Sequence, residues 1–476
     1  MHHRFGMSRR LELALLVTAD LVAFTLATGL FYMARFEWGW LGPVQARPAL
    51  VAPAIGVLSL YWLWVFVFFG QYQPRFAQSR FDELVSLAKV VTIGLLILFF
   101  LLFVDDPNIG SARRSIAFYW VAVFGTSAGL RLTVRSYQRW RLVRGLDAHR
   151  ALIVGTPERA EVLYREVGHY PAQGLQIVGF VPVGDEGEGE SDEGPVLVHA
   201  LPRVGRLEEI AELVERYQIQ DILVALEATD QTHLLQVVER CDGLPVSLKI
   251  LPDFYDVISG FARTNEIYGL PFIDLLPAPM PVWEQYVKRL IDVVVSACIL
   301  LGGLPLWVLI ALLIRLDSRG PVIFRQERVG RNGRIFVMYK FRTMRQDAER
   351  DTGPVWASER DPRLTRIGGW LRRTRLDEIP QFWNVLKGDM SLVGPRPERP
   401  YFVERLSREI PLYRRRLRVK PGITGWAQVR WKYDSSIEDV RQKVKYDLFY
   451  IANMSLRMDL KIMLRTLYVM FAAKGR

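Results

Sequence analysis

Four long apolar runs fall within the first 140 residues, at about 11–34, 50–70, 84–104 and 115–132. Each is close to the roughly 20 residues a helix needs to cross the hydrocarbon core of a bilayer. Four such runs in succession are rare in soluble domains, where the alternative is a set of buried core helices. The first run is a poor cleaved leader: it is long, contains Asp20, lacks a clear cleavage site and is followed by three similar runs. The chain of 476 residues has room for about three domains. Half the residues are hydrophobic and the formal net charge is +12. This excludes a disordered or collagen-like chain, and suits anionic lipid or a phosphorylated substrate better than nucleic acid. Two cysteines, Cys241 and Cys298, and six histidines leave little for a disulfide framework, a Cys-ligated zinc site or a His-based metal centre.

Cations in the short loops set an orientation. Arg4, Arg9 and Arg10 precede the first run, Arg75 and Arg80 lie between the second and third, and Arg131, Arg135, Arg139, Arg141, Arg144 and Arg150 end or follow the fourth. The other two loops hold only Arg35 and Arg47, then Arg113 and Arg114. The bias places the N-terminus and everything after about residue 135 in the cytoplasm. A fifth apolar segment, at 290–314, is interrupted by Gly302-Gly303-Leu304-Pro305 and has cations on both flanks. Pro breaks a helix and two glycines weaken it further. The expected form is a re-entrant helix–break–helix over 288–316 that returns to the face it entered; the alternative is a fifth span with a Pro kink.

Residues 141–280 alternate between strand-like stretches (149–155, 175–181, 221–226, 246–250) and helix-like ones (157–167, 207–217, 231–241), which predicts a small parallel, Rossmann-like α/β domain. A dinucleotide fingerprint would place G-x-G-x-x-G after the first strand; Gly155-Thr-Pro-Glu-Arg-Ala keeps one glycine and brings Glu158 and Glu161 instead. A structural or regulatory role is the better reading, with dimerisation left open. The acidic, glycine-rich stretch 184–194 reads as a solvated loop.

The C-terminal residues carry the candidate chemistry. Asn332-Gly333 between alternating apolar runs signals a β-hairpin, and Lys340 and Arg342, two apart, would share a strand face suited to a diphosphate. Asp377-Glu378 precede Pro380 and a helix expected to stop at Gly388. Adjacent carboxylates repel, so one holds a proton or a divalent cation screens the pair. An aspartate beside a metal can attack phosphorus; the plainer alternative is a capping box of Thr374 with Asp377. The Pro395-Arg396-Pro397 sequence would fix Arg396, and Glu398 follows it. Arg414, Arg415, Arg416, Arg418 and Lys420 put five cations in seven residues, with Tyr413 and Trp426 near: a surface for lipid headgroups, or a solvated basic helix.

These motifs together resemble the bacterial sugar transferases, the monotopic polyprenyl-phosphate sugar-1-phosphate transferases, over 282–476. The resemblance rests on the broken apolar helix and on Tyr-Lys-Phe-Arg-Thr-Met at 339–344, Asp-Pro-Arg-Leu-Thr-Arg-Ile-Gly at 361–368, Leu-Asp-Glu-Ile-Pro-Gln at 376–381, Lys-Gly-Asp-Met-Ser-Leu-Val-Gly-Pro-Arg-Pro at 387–397 and Lys-Pro-Gly-Ile-Thr-Gly-Trp-Ala-Gln at 420–428. The preceding helices and α/β domain are similar to those of the large members that begin exopolysaccharide or O-antigen units. Where the family often has Ser-Pro at the helix break, this chain has Leu304-Pro305, with Gly302 and Gly303 beside it.

The resemblance implies a multi-pass protein of the bacterial inner membrane, α plus α/β, in three parts: four transmembrane helices (1–140), a cytoplasmic Rossmann-like domain (141–280) and a mostly helical catalytic domain with a small β-hairpin (281–476). It implies transfer of a hexose-1-phosphate, glucose or else galactose, from a UDP-sugar to undecaprenyl phosphate, releasing UMP. Asp377 would be the nucleophile and Glu378 its assistant, with Mg2+ held by the pair. Lys340, Arg342, Arg375 and Arg396 would hold phosphates, and Pro395, Pro397 and Glu398 would contribute to substrate binding. The rivals are a silent scaffold of polysaccharide assembly and a nucleotide-dependent oxidoreductase using the middle domain.

Overall fold

The computed structural model describes residues 9–41, 51–73, 80–102, 109–144, 148–170, 174–184, 197–198, 201–227, 230–251, 270, 272–275, 280–345, 363–430 and 437–471. Residues 185–194 of the acidic stretch and 361–362 of the Asp-Pro motif lie outside these. The chain divides into two compact units, Met1–Leu276 and Pro277–Arg476.

The first unit opens with α1 (Arg9–Tyr32, continued by a π-turn at Met33–Glu37), α2 (Val51–Phe68), α3 (Arg80–Leu102) and α4 (Ile109–Val143). All four are long and apolar enough to cross a membrane. Phe24, Trp62, Phe66, Leu87, Val91 and Val123 are buried between them. Leu26, Val57, Trp64, Phe100 and Val121 point outward and are exposed, which suits hydrocarbon and disfavours the buried-core alternative. Asp20, the awkward charge of the first run, is buried and takes two hydrogen bonds from Arg131, at 2.8 Å (Nε) and 2.7 Å (Nη2). Glu83 pairs with Arg135 at 3.1 Å. Charges inside such helices are kept only when paired. Arg131, read from the sequence as a flanking cation, is therefore an interior one.

The α/β part contains β1 (His149–Gly155), α5 (Pro157–His169), β2 (Leu175–Pro182), a short hairpin of β3 (Leu197–Val198) and β4 (Leu201–Pro202), α6 (Ile210–Tyr217), β5 (Asp221–Ala225), α7 (Gln231–Arg240), β6 (Ser247–Ile250) and β7 (Ile273–Asp274). The sheet order is β2-β1-β5-β6-β7, parallel except for β7. A Cβ at Gly155 would lie 2.0 Å from the Ala225 carbonyl oxygen. The one glycine left of the fingerprint thus makes room for a neighbouring strand. Arg159 and Glu227 form an ion pair at 3.1 Å beyond these strand ends.

The second unit begins with the broken helix: α8 (Val282–Gly302) and α9 (Leu304–Asp317), bent by 63°. Pro305 sits in the first turn of α9, where its missing N–H breaks no bond. A Cβ on Gly303 would fall 2.2 Å from the Trp307 ring, whereas Gly302 has open space. The Trp307 indole donates to the Ile299 carbonyl at 3.0 Å, beside the Gly303 N–H that reaches the same oxygen at 3.1 Å, and so fastens the first turn after the break to the last turn before it. Gly303→Ala should therefore force Trp307 off this bond and lower the thermal midpoint, by about 2 kcal/mol of stability, while Gly302→Ala should be nearly neutral; equal effects in a melting assay would refute the assignment.

The hairpin follows as β8 (Ile323–Val329) and β9 (Ile335–Phe341), antiparallel, turned by Asn332 and Gly333 at φ 57° and 76°. Then come α10 (Arg366–Thr374), α11 (Gln381–Lys387), β10 (Ser391–Val393), α12 (Pro400–Glu409), β11 (Gly422–Thr424), α13 (Trp426–Arg430), α14 (Ile437–Ala452) and α15 (Leu456–Phe471). β10 and β11 pair in parallel. They approach so closely that a Cβ on Gly422 would lie 2.1 Å from the Gly394 nitrogen. The two Gly-Pro-rich motifs are thus two halves of one backbone contact. Arg289, a flank of the broken helix, donates to the Val385 and Leu386 carbonyls at 2.6 and 2.7 Å. It ties α8 to the C-terminus of α11, where a cation is favoured.

The basic stretch differs from expectation. It forms a 3-10 helix, Tyr413–Arg418. Arg416 is buried and paired with Asp447 at 2.8 Å, and Tyr413 and Trp426 are core residues. Arg414 is exposed. The sequence reads as a surface because its charges are dense; the fold turns one of them inward to a buried carboxylate.

Candidate active site

Asp377 and Glu378 lie on a single 3-10 turn, Leu376–Glu378, between α10 and α11. The turn is entered through Arg375, which holds the left-handed conformation at φ 57°, ψ 16°. This is uncommon for a residue with a Cβ and is the kind of strain that gathers at functional sites. The alternative, a capping box of Thr374 with Asp377, does not form: Thr374 Oγ1 donates back to the Trp370 carbonyl at 3.0 Å, and the residue capping α10 is Thr365, which accepts from the Gly368 N–H. Pro380 precedes the first turn of α11 as its cap, and Gly388 ends that helix at φ 93°.

The two carboxylates are placed differently. Glu378 Oε1 accepts from Lys340 Nζ at 3.1 Å and from Arg396 Nη2 at 2.9 Å. Burial alone would raise its carboxyl pKa, but Lys340, Arg396 and Arg375 outweigh burial and hold it well below the usual carboxylate range. Asp377 is also buried, yet its carboxylate takes no such bond. Burial, with the Glu378 charge added, pushes its pKa up to about 6; Lys340, Arg372 and Arg396 oppose the rise. Burial lowers the Lys340 pKa against the pull of Glu378, and the Glu378 charge raises that of Arg396. Glu378 is a fixed anion holding two cations beside a carboxylate that makes no such bond.

Lys340 reaches this point because β9 is pinned to α11. Buried Asn384 donates through Nδ2 to the Val337 carbonyl at 2.7 Å and accepts from the Tyr339 N–H at 3.1 Å. Arg396 is held by its backbone. Four successive carbonyls are engaged: Pro395 by the Gly422 N–H (2.9 Å), Arg396 by Arg416 Nη2 (3.0 Å), Pro397 by Arg328 Nη1 (2.9 Å) and Glu398 by the Val329 N–H (2.9 Å). The Pro395 and Pro397 rings flank Arg396, and the Glu398 carboxylate lies with Lys443 at 3.4 Å and Arg328 at 3.5 Å. Glu398 is thus engaged with the cations that hold the loop. Sequence reading missed Asn384, Arg328 and Arg416; a lone asparagine among Phe382, Trp383, Val385 and Leu386 was a usable signal for the first.

Arg342 goes elsewhere. β9 ends at Phe341, so the strand alternation that would align Arg342 with Lys340 stops. Its guanidinium donates to the Ser318 and Arg319 carbonyls at 2.7 and 3.0 Å, closing the end of α9.

Among the described residues no three or more His, Cys, Asp or Glu side chains converge as a metal centre. Mg2+ is commonly held by one or two carboxylates together with substrate phosphates and water. The adjacent Asp377 and Glu378, the former unengaged, fit a cation that arrives with a diphosphate, and offer too little to hold one alone.

A family model described as bacterial sugar transferase matches residues 283–473, and one described as a CoA-binding domain matches 67–252. A UDP-glucose:undecaprenyl-phosphate glucose-1-phosphate transferase of Xanthomonas campestris pv. campestris is 30% identical over 96% of this chain and 92% of its own. The protein of the same name from Escherichia coli (strain K12) is 33% identical over 75% of this chain and 76% of its own. A UDP-N-acetylgalactosamine-undecaprenyl-phosphate N-acetylgalactosaminephosphotransferase of Aeromonas hydrophila is 39% identical over 50% and 55%. The similarity over nearly the whole length of both chains establishes that the chain belongs to the bacterial sugar transferase family and is a phosphoglycosyl transferase.

Proposed function

We propose that the protein transfers glucose-1-phosphate from UDP-glucose to undecaprenyl phosphate in two displacements, through a sugar-phosphate carried on Asp377. The observation that carries this reading is the division of the dyad, one carboxylate pinned by two cations and its neighbour buried and unengaged. In the first step an Asp377 oxygen attacks the sugar-bearing phosphorus; the bond to the UMP oxygen breaks and its electron pair leaves with UMP. In the second, an oxygen of the lipid phosphate attacks the same phosphorus and the Asp377 carboxylate departs, giving the lipid-diphosphate sugar. Lys340 and Arg396, oriented by Glu378, face the charge that accumulates on the equatorial oxygens, with Arg375 beside them. A divalent cation, Mg2+, would be held by Asp377 and Glu378 with phosphate oxygens and would spread the diphosphate charge. Glucose is favoured because the relatives aligned over most of this chain are named for it.

The cation bias of the loops supports an inner-membrane protein with its catalytic unit in the cytoplasm, where a soluble nucleotide-sugar is found. The 63° break supports a re-entrant helix that sets the site at headgroup depth. Incubating purified protein with UDP-glucose and Mg2+ without lipid should leave a hexose-phosphate adduct on Asp377, seen by peptide mass spectrometry and lost in Asp377→Asn. Adduct only with another UDP-sugar would move the substrate. UMP release that requires lipid, with no adduct, would replace the mechanism by direct transfer.

A further inference from the structure

A cavity of about 150 Å³ opens between α8, β10 and α15. Ile291 of α8, Leu392 and Val393 of β10, and Leu460 and Met463 of α15 form its apolar wall. Lys288, Asp292 and Asp459 also reach it, but Lys288 Nζ, Asp292 Oδ1 and both Asp459 oxygens are bonded to protein. Lys288 Nζ donates to Asp459 Oδ2 at 2.5 Å and to the Val393 carbonyl at 3.0 Å. Asp292 Oδ1 accepts from Ser391 Oγ and the Leu392 N–H at 3.1 and 2.9 Å, and Asp459 Oδ1 accepts from the Tyr450 hydroxyl at 2.7 Å. Polar groups so engaged hold water poorly, and an apolar cavity of this volume takes a benzene-sized hydrocarbon, roughly six carbons.

Position selects the occupant. Leu460, at the rim, is 53% exposed and belongs to an outward apolar row with Leu464 and Leu467 on α15; Leu290 and Val294 point outward from α8. The cavity therefore opens on an apolar face of this unit. Val393 in its wall lies three residues before Arg396, a reach of about 10 Å of extended chain, and Arg396 sits on Glu378. A lipid whose phosphate is fixed at Asp377 has to lead its chain away toward such a face, whereas a bulk phospholipid has no tie to the site. Met463 adds an unbranched side chain that adapts to an irregular guest. We propose that this cavity binds an isoprene unit of the polyprenyl acceptor near its phosphate end, an assignment that rests on the transfer reaction proposed above.

Leu460→Trp and Met463→Trp fill the cavity in the full-length protein, and Leu464→Trp adds the same ring to the same outward row outside it. With the fill variants in phospholipid-free detergent, the KM for undecaprenyl phosphate should rise about tenfold, the lower end of what a lost methylene-sized fit gives in an apolar pocket. The Asp377 adduct formed without acceptor shows that these variants are folded, and Leu464→Trp should match the wild type. An unchanged KM, a rise confined to phospholipid bilayers (an acyl chain as occupant), or an equal rise in Leu464→Trp (membrane seating) overturns the assignment. Transfer by the wild-type protein keeps that failure distinct from failure of the reaction itself.

Discussion

Asp377→Asn is expected to abolish transfer and at the same time to stabilise the protein. The loss should be about 10⁴-fold or more, as for other covalent nucleophiles, because asparagine offers no anionic oxygen to phosphorus. The stability gain follows from linkage. The Asp377 pKa is raised to about 6 from an ordinary 3.8, first by burial and then by the Glu378 charge. A carboxyl raised on folding favours the folded state fully below its unfolded value, and that stability is lost as pH rises through the folded value. At neutral pH the ionised Asp377 therefore destabilises the fold, by about 3 kcal/mol. Asparagine removes that charge without breaking a hydrogen bond. Thermal melts should place Asp377→Asn above the wild type at pH 7.5, with the gap closing toward pH 4. A variant that melts lower at pH 7.5 would show that the carboxylate is a structural partner instead of a nucleophile held ready.

Much of this was legible in the residues, and the exceptions have physical causes. The apolar runs, the helix break, the Asn332-Gly333 hairpin and the elements of the α/β part are local signals. Spacing and turn chemistry fix them, and α5, α6 and α7 lie close to the expected ranges. What escaped is non-local. Arg131, Arg342 and Arg416 look alike in sequence, each a cation among cations or at an apolar run's end. Only the fold decides that one meets Asp20, one the carbonyls at the end of α9 and one Asp447. The Arg396 loop makes the same point. Pro-Arg-Pro announces rigidity, but the rigidity comes from four engaged carbonyls whose partners lie on β8, the 3-10 helix and β11.

Glu378→Gln should separate the two carboxylates by effects of opposite sign. Glu378 is ionised and held below the usual carboxylate range by Lys340 and Arg396 despite its burial. A depressed carboxyl contributes stability above its unfolded pKa and loses it as pH falls, so Glu378→Gln should destabilise at neutral pH where Asp377→Asn stabilises. Leaving Lys340 and Arg396 without their shared anion should cost about 3 kcal/mol, less as the pH drops below about 4. The kinetic signature is sharper. In the wild type the rate of adduct formation should fall on the acid side with a limb near 6, as Asp377 takes up its proton. The Glu378 charge is one of the forces that raise this pKa; its removal should move the limb to lower pH, even as the maximal rate drops about 10²-fold because the cations lose their aim. Arg396→Met removes a cation that lowers the same pKa and should move the limb the other way. Single-turnover adduct formation between pH 5 and 8 reads both shifts. Limbs that move together, or a Glu378→Gln limb that rises, would mean that Asp377 is not the group titrating, and the acid limb would then belong to the donor's phosphates.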